Sequence, residues 1–385
     1  MKIPLKYNFR SLLVRWVGTL MTAVGIGLTV AIFVIMMALI HGLDSTFVET
    51  GHKNQMVAIR QGSQNEVNSF FDRAIFDSVK TLDGIVKTPS GAPAAVGEIA
   101  VIVNQPRVTG ETANFMIRGT SEMGFYLRPE VKITRGRMFR KGLRELVVSE
   151  SLSRRFKDLR LGDKIRIIQR DWLVVGIFTA GGAVYDSEAW ADYDDVALAW
   201  TRPIHSSITL RAVDQAALAR LKERIENDRR IQLQPYDEQA YFAQQTISSV
   251  GLKALGFFIA VVMGIGSCFA AMNMMYAAVM SRVKEIGALR ALGFRRRSVL
   301  ASFLVESLML SLAGGILGCL IALPMHGVST GTMNFATFSE VLFNFKITPR
   351  ILGMGLGFSL VVGLLGGVLP AARASRIKLL DVLRD

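Results

Sequence analysis

Long stretches without a charged side chain constrain this chain more than any other feature. A helix needs about 20 mostly apolar residues to cross the hydrocarbon core of a bilayer. Each stretch that lacks Asp, Glu, Lys and Arg is at least that long, so the sequence predicts a membrane protein with four transmembrane α-helices. The charge-free stretches are residues 16–43, 254–281, 307–339 and 351–372.

Two of these stretches need a further argument. The first begins near the N-terminus, as a signal peptide does, but it is far longer than the roughly 7–15 apolar residues of a signal peptide. We therefore expect it to remain as a membrane anchor. The third is too long for one span, and Pro324, His326 and the polar residues 329–334 indicate that its helix ends near Leu323.

The distribution of charge predicts which side of the membrane each segment occupies. The net charge is +14, yet residues 44–250 are almost neutral, with 28 basic and 26 acidic side chains. The excess of Lys and Arg lies in short segments next to the spans, which is typical of the cytoplasmic side. The pattern therefore indicates topology, and it argues against nucleic-acid binding, which needs a basic surface on a folded domain.

These features predict a membrane protein with a large α+β extracytoplasmic domain between its first and second transmembrane helices. Composition agrees, because 51% of the residues are hydrophobic and the mean hydropathy is +0.36. The predicted segments are a cytoplasmic N-terminus (1–15), helix one (16–43), a periplasmic domain (44–250), helix two (251–281), a cytoplasmic helix and loop (282–298), helix three (299–323), an external loop (324–350), helix four (351–372) and a cytoplasmic tail (373–385).

The periplasmic domain is predicted to mix strands and helices, in one lobe or two. Cys268 and Cys319 both lie in predicted spans, so we expect the domain to fold without disulfides. Its length of about 200 residues is enough to bury a core. Runs of β-branched residues predict strands at 55–61, 98–105, 114–119, 163–169, 171–178 and 206–212, and apolar spacing predicts helices at 71–84 and 214–230.

Motifs for catalysis or metal binding are absent from the sequence. It contains no Gly-Lys-Ser/Thr of a phosphate-binding loop and no Gly-x-Ser-x-Gly elbow, and its four histidines are not at metal-ligand spacing. We interpret Asp192, Asp194 and Asp195 as a solvated turn rather than a cation site. The chain is therefore predicted to have no catalytic residue, metal or cofactor of its own, and another subunit must supply the energy.

A short basic segment between the second and third spans predicts an amphipathic helix. Val283, Ile286, Leu289 and Leu292 recur every third residue, and Gly293 is placed to end the helix in a left-handed conformation. Two interpretations are open at this point. The helix either contacts only membrane lipids, as we expect of Arg295–Arg297 in any case, or it binds a partner protein.

The same segment resembles a known family. Residues 281–318, SRVKEIGALRALGFRRRSVLASFLVESLMLSLAGGILG, look like the signature of MacB/FtsX-type permeases of ABC transporters. The tail LPAARASRIKLLDVLRD resembles the ending of that family, with Val382, Leu383 and Arg384 in place of an Ala-Leu-Arg-like motif. Residues 136–178 are similar to its periplasmic core, so the resemblance covers nearly the whole chain. The resemblance implies a location in the bacterial inner membrane.

The resemblance implies that the short helix is a coupling helix. It would dock into a groove on a separate ABC ATPase, which binds ATP and Mg, with its apolar stripe filling the groove and its charges setting the register. A glycine would allow close approach of the backbones. The residues assigned to this contact are Val283, Glu285, Ile286, Gly287, Leu289, Arg290, Leu292 and Gly293.

The resemblance also implies a mechanism, mechanotransmission, in which ATP-driven motion passes to the periplasmic domain. The chain would act with a second permease copy, identical or a sister subunit, to export or extract an amphiphilic, lipid-linked or peptide substrate. A membrane-fusion protein or an outer-membrane channel is a further expected partner. The alternative is an FtsX-like scaffold that activates a cell-wall hydrolase without transport, although the size of the domain favours export.

Two features inside the predicted spans are also assigned. Glu306 lies about 12 Å beyond Ser298 at 1.5 Å per residue, and we expect it to pair with a cationic or backbone partner. Small residues spaced four apart let helices approach closely, and we expect these pairs to pack within the subunit. The pairs are Gly314 and Gly318, Gly353 and Gly357, and Gly363 and Gly367.

Overall fold

The structure is a computed structural model that describes residues 14, 16–48, 50–245, 250–334 and 337–376, without the side chains of Val250, Leu252 and Leu289. The predicted N-terminal segment apart from Val14, and the end of the predicted tail with Val382, Leu383 and Arg384, lie outside the described residues. The helices are α1 Trp16–Val48, α2 Arg73–Val79, α3 Glu122–Leu127, α4 Glu150–Arg155, α5 Tyr193–Ala199, α6 Gln215–Asn227, α7 Glu238–Gln245, α8 Val250–Met280, α9 Val283–Ala291, α10 Arg296–Ala322 and α11 Pro349–Ser375.

The strands fall into one large sheet and two pairs. They are β1 Gln55–Arg60, β2 Phe71–Asp72, β3 Ala95–Pro106, β4 Thr112–Thr120, β5 Lys132–Gly136, β6 Glu145–Ser149, β7 Lys164–Ile167, β8 Arg170–Thr179, β9 Glu188–Asp192, β10 Ile204–His205, β11 Ser207–Arg211, β12 Leu233–Asp237, β13 Ser329–Asn334 and β14 Ser339–Asn344. The ten-stranded sheet has the order β12-β1-β11-β3-β4-β9-β6-β8-β5, with β7 paired to β8. Strand β2 pairs with β10, and β13 pairs with β14.

The chain divides into two compact units. The helical unit holds the described residues up to His41, Gly251–Val328 and those from Phe345 onward. The sheet unit holds Gly42–Val250 and Ser329–Asn344. The chain therefore passes between the units four times, and two of these passages flank the β13–β14 hairpin.

Four helices are long and apolar enough to cross a membrane, as predicted: α1, α8, α10 and α11. The first is longer than predicted and includes Asp44, Ser45 and Thr46. The hydroxyls of Ser45 and Thr46 donate to the carbonyl of Gly42 at 3.0 Å, so these polar side chains are satisfied by the helix itself. The first charge thus marks the end of the lipid-compatible stretch and not the end of the helix. The other three helices begin or end within about three residues of the predicted bounds.

The sheet unit has two hydrophobic cores along one sheet. One core lies on β3, β4, β6, β8 and β9 with α4 and α5, and includes Phe115, Trp172 and Ile177. The other lies on β1 and β11 with α2 and α6. Strand β3 contributes Ala95 to the second core and Ile99 to the first, so it joins the two.

All six predicted strands and both predicted helices of this unit are present. Helix α6 begins as its sequence predicts, because the side chain of Asp214 accepts the N–H of Ala217 at 2.6 Å. Helix α2 is shorter than the predicted 71–84 and ends at Val79. The strands that the sequence did not predict, such as β5, β9 and β12, are short and contain Lys, Arg, Asp or Pro, which are poor strand formers.

The predicted external loop at 324–350 is wrong in its main part. After a 3₁₀ turn at Leu323–Met325, the chain forms the β13–β14 hairpin, which belongs to the sheet unit. Val341, Leu342 and Phe343 are buried at 4% exposure or less, and Leu342 joins the larger core. A polar, glycine-containing stretch of this length resembles a loop in sequence, because the residues that cover it are more than 100 positions away.

Candidate functional site

The short helix predicted between the second and third spans is present as α9, and its predicted end at Gly293 is confirmed. Gly293 has φ of +90°, and its N–H donates to the carbonyl of Arg290 at 3.1 Å. A residue with a Cβ would be strained in this left-handed conformation, which explains the glycine. The helix therefore stops after Ala291, and the chain turns into α10.

The apolar side of α9 packs against helices of its own chain, so the prediction that this side fills a groove on a partner is wrong. Ile286 is 2% exposed and packs in a core cluster with Val279, Val299 and Phe303 of the helical unit. Gly287 is also buried, and Val283 is half-buried. These side chains face their own helices and are not free to fill a groove on a partner. Three-residue spacing predicts an apolar side of a helix, but it does not say which protein covers that side.

The outer face of α9 is mixed in character. Lys284, Glu285, Ala288 and Ala291 are exposed, and Leu292 just after the helix is 72% exposed. Of the assigned contact residues, the described part of the chain thus leaves Glu285, Leu292 and Gly293 on the surface. The side chain of Leu289 lies outside the description.

Two arginines connect α9 to the long helices. Arg282 donates to Oε2 of Glu306 in α10 at 3.1 Å, and these residues are only 8% and 4% exposed. Arg290, which is half-buried, donates to the carbonyl of Ser375 in α11 at 3.2 Å. Breaking a buried ion pair by removing one partner typically costs about 3–5 kcal/mol. The structure therefore gives Glu306 a cationic partner, and the ends of α9 are fixed to α10 and α11.

The assigned glycine pairs differ in their surroundings. A Cβ on Gly314 or Gly318 would collide with backbone atoms of α1, and one on Gly363 or Gly367 would collide with Ser311 or Ser307 of α10. These four glycines therefore pack helices within the subunit. Gly353 and Gly357 lie on the surface, and no described atom is within 4 Å of the position that a Cβ would take there, so the packing predicted for them is wrong. Other close glycines were not predicted, among them Gly315, Gly355 and Gly366.

In the sheet unit, the β13–β14 hairpin is held by a carboxylate between two arginines. Oε2 of Glu340 accepts from Arg107 at 2.9 Å and 3.2 Å, and Oε1 accepts from Arg155 at 2.5 Å. Glu340 is 5% exposed. The N–H of Leu342 also donates to Oγ of Ser187 at 2.7 Å. Ionic, backbone and apolar contacts thus all fix this hairpin to the larger core.

A network of charged side chains is buried in the centre of the same unit. Arg118, 1% exposed, donates to Glu66, Glu98 and Glu188 at 2.7–3.0 Å. Arg128 forms two further hydrogen bonds with Glu98. Burial disfavours the charged form of Glu98, but the two arginines outweigh it and hold its pKa at about 2. For Glu188, burial wins and raises the pKa.

The network extends to the start and end of the sheet unit. Glu238 at the beginning of α7 accepts the hydroxyl of Tyr185 at 3.2 Å and the backbone N–H of His52 at 2.9 Å. His52 also pairs with Glu130 at 2.7 Å, and this hydrogen bond raises the pKa of His52. The segment that follows α1 is therefore linked to the segment that leads towards α8.

The acidic cluster on α5 is structural, but it is not the solvated turn that the sequence predicts. Asp192 caps the helix by accepting the N–H groups of Asp194 and Asp195, and Asp195 accepts the N–H groups of Gly142 and Arg144 at 3.1 Å and 3.0 Å. Asp192 and Asp195 are both nearly buried. Within the described ranges, no group of three or more His, Cys, Asp or Glu side chains is arranged to hold a metal ion.

Two family models together match most of the chain. One, described as the MacB-like periplasmic core domain, matches residues 19–228 and so more than half of the chain. The other, described as FtsX-like permease C-terminal, matches residues 257–379. The chain belongs to the MacB/FtsX family of ABC transporter permeases. The sheet unit accordingly contains the MacB-like periplasmic core domain of a transmembrane permease.

Two curated relatives and one solved structure share 16–35% of their aligned residues with this permease. The permease is 26% identical over 405 residues to the macrolide export ATP-binding/permease protein MacB of Nitrobacter winogradskyi, covering 97% of this chain and 59% of that protein. It is 35% identical over 139 residues to the pyoverdine export ATP-binding/permease protein PvdT of Pseudomonas fluorescens, covering 36% and 19%. The solved periplasmic region of MacB from Actinobacillus actinomycetemcomitans is 16% identical, with a TM-score of 0.37, and covers 51% of this chain and 94% of that one. The permease thus spans 59% or less of the length of both curated relatives.

Sequence reasoning missed the residues that hold the hairpin of this permease. Glu340, Arg107 and Arg155 are separated by up to 233 positions, so no local pattern brings them together. One signal was available. Glu340 is the only Asp, Glu, Lys or Arg between Glu306 and Lys346, and it stands directly before the apolar run Val-Leu-Phe. A lone charge beside an apolar run indicates a buried ion pair as readily as a surface residue.

Proposed function

We propose that this permease transmits ATP-driven motion of a separate ATPase subunit to its periplasmic domain. In this proposal α9 and both termini are cytoplasmic, as the distribution of Lys and Arg favours. The ATPase binds ATP and Mg, and the permease supplies no catalytic group. Two permease copies, identical or sister subunits, act together. The work exports or extracts an amphiphilic, lipid-linked or peptide substrate.

The main support is the set of contacts that hold α9 against the long helices. Its inner face is buried through Ile286, and Arg282 and Arg290 fix its ends to α10 and α11. Its outer face carries Glu285 and Leu292 to the surface. A displacement of α9 by a partner therefore acts on α8, α10 and α11 at once, because Ile286 packs with Val279 of α8 and the two arginines bond to α10 and α11. Separating α9 from α10 would break the buried Arg282–Glu306 pair.

The chemistry of the outer face favours a protein partner over lipid alone. An interfacial helix buries a broad apolar face among acyl chains and shows cations to headgroups. The exposed face of α9 instead holds one carboxylate, one lysine, two alanines and, beyond its end, one leucine. Opposite charges around a small apolar centre are typical of a protein interface. Arg295, Arg296 and Arg297 would still contact headgroups.

The names of two relatives support the proposed substrate class. The two curated relatives are named for export of a macrolide and of pyoverdine, and this supports an amphiphilic compound as the substrate of this permease. The match to the MacB-like periplasmic core over residues 19–228 favours export over the FtsX-like alternative, in which the periplasmic domain activates a cell-wall hydrolase.

Affinity purification from native membranes, with mass spectrometry of the co-eluting proteins, tests this function. Glu285→Arg combined with Leu292→Glu changes only exposed side chains, and Arg296→Glu is the control outside the proposed contact. We expect an ABC ATPase to co-elute with wild type and control, and at least a tenfold loss from the double variant. Equal recovery from all three would contradict docking at α9. A co-eluting hydrolase in place of a membrane-fusion protein would favour the scaffold alternative.

A further inference from the structure

The β13–β14 hairpin is the part of the periplasmic domain that comes from between α10 and α11. Its base is tied within the helical unit, where Phe345 donates to the carbonyl of Val328 at 3.0 Å and accepts from the N–H of Gly327 at 2.9 Å. Phe345 and Ile347 lie in the core of the helical unit. The connection between the helices and the hairpin is therefore short and paired, and a paired ribbon passes on displacement better than a loop does.

The tip half of the hairpin is fixed in the sheet unit by Glu340. This carboxylate is 5% exposed and accepts three guanidinium N–H groups, two from Arg107 and one from Arg155. The opposite strand leaves room for it, because a side chain at Gly331 would collide with the Glu340 carboxylate. Charge-assisted hydrogen bonds of this kind are shorter and stronger than neutral ones, and here they engage both oxygens of the carboxylate.

The two arginines belong to different elements of the larger core. Arg107 follows β3 and forms an isolated bridge with Phe156, whereas Arg155 is the last residue of α4. The two elements are also joined directly, because the N–H of Val108 donates to the carbonyl of Arg155 at 2.9 Å. Phe156 and Leu152 beside them are fully buried in the larger core. A displacement of Glu340 therefore reaches β3 and α4 together.

We propose that Glu340 is the positioning residue through which α10 and α11 move the core of the periplasmic domain. The proposal rests on the proposed function, because it assumes that an ATPase moves these helices. It assigns the transmission to a specific ion cluster, Arg107–Glu340–Arg155, in place of the domain as a whole. The apolar contacts of Leu342 hold the hairpin on the larger core, and the ion cluster fixes the orientation and register of the hairpin on that core.

The test uses the full-length permease with its ATPase in lipid nanodiscs and compares Glu340→Gln with Glu111→Gln. Glu111 contacts the same Arg107 at 3.5 Å but is an exposed residue outside the hairpin, so it is a matched control. Hydrogen exchange is measured without nucleotide and after addition of ATP and vanadate, which traps ADP and vanadate in the ATPase. We expect wild type and control to show an ATP-driven change in α10, α11, β3 and α4. We expect Glu340→Gln to hydrolyse ATP and to keep the change in α10 and α11, but to lose it at least tenfold in β3 and α4.

The possible results separate the two proposals. If Glu340→Gln keeps the same ATP-driven change in β3 and α4 as Glu111→Gln, the role of Glu340 is refuted while the proposed function stands. If wild type shows no ATP-driven change in any segment, the proposed function fails and the role of Glu340 fails with it. Hydrogen exchange measured without ATP shows whether each variant keeps the fold of wild type. If it rises in Glu340→Gln, Arg107→Lys decides, because lysine keeps the charge but cannot reproduce the two guanidinium hydrogen bonds to Oε2 of Glu340. An undiminished change in that variant also refutes the proposal.

Discussion

The helical unit and the sheet unit bury polar groups in different ways. The sheet unit encloses Arg118 and Arg128 with several glutamates in its centre, so its polar interior is ionic. The helical unit places glycine and serine where its helices approach closely, as where Ser307 donates to the carbonyl of Gly363 at 2.6 Å. Its described part also holds the buried Arg282–Glu306 pair, which joins the start of α9 to α10. A sheet in water can enclose charges that pair with one another, whereas helices in lipid gain most from close backbone approach.

Breaking the ionic centre of the sheet unit should change stability the most. Arg118→Met leaves Glu66 and Glu188 without their main partner, and we expect the free energy of unfolding of this unit to fall by about 3–5 kcal/mol. Fluorescence of the buried Trp172 and Trp190 during urea unfolding measures it. The control Arg166→Met removes an exposed pair with Asp171 at 4.0 Å and should change stability by less than about 0.5 kcal/mol. Equal effects of the two changes would show that the network does not stabilise the fold.

Acid should destabilise the sheet unit through the protonation of a buried histidine. His205 is 2% exposed among Phe71, Phe76 and Tyr193, and burial lowers its pKa from 6.5 to about 4. Because the unfolded chain binds this proton more readily, stability is complete above pH 6.5 and falls as the pH drops towards 4, by about 3 kcal/mol in total.

The variant His205→Phe removes this titration while keeping an aromatic ring. We expect urea unfolding of the variant to depend less on pH between 6.5 and 4 than unfolding of wild type does. Glu98 adds a second loss at lower pH in both proteins, since its folded pKa of about 2 lies below the ordinary 4.5. An unchanged slope between pH 6.5 and 4 would contradict this account, because it would mean that folding does not lower the pKa of His205.

Loss of close packing in the helical unit should lower stability by less than loss of the Arg118 network or protonation of His205 does. Gly318→Val places a side chain against the backbone of Gly27 in α1, and we expect a loss of about 1–3 kcal/mol in thermal unfolding of the purified chain. Gly353→Ala is the matched control, because no described atom lies near that position and alanine favours a helix. If both glycines tolerate substitution equally, close approach of α1 and α10 is not what holds the unit together.

The sequence was most informative where the constraint is local. The four spanning helices follow from runs without charge, because a lipid environment excludes charge along the whole run. Gly293 was also predictable, since a left-handed helix end favours one residue type. Both features can be recognised from neighbouring residues alone.

The remaining features depend on contacts between distant residues. The spacing of Ile286 showed that α9 has an apolar side, but only its contact with Val299 and Phe303 shows that this side is turned inward. Arg118 lies in a strand, NFMIRG, that is buried on both faces, and its three carboxylate partners come from other strands and a 3₁₀ turn. A charge within an apolar strand was the only local sign of this network.

Binding of the ATPase to the outer face of α9 is the step on which the proposed function depends. A photo-crosslinking amino acid at Leu292, 72% exposed, tests this contact, and the same amino acid at Phe257 of α8, 69% exposed, is the membrane-facing control. After irradiation of native membranes, we expect a product that joins position 292 to an ABC ATPase and none from position 257. Products with lipid alone at both positions, in membranes that contain the ATPase, would contradict docking at α9.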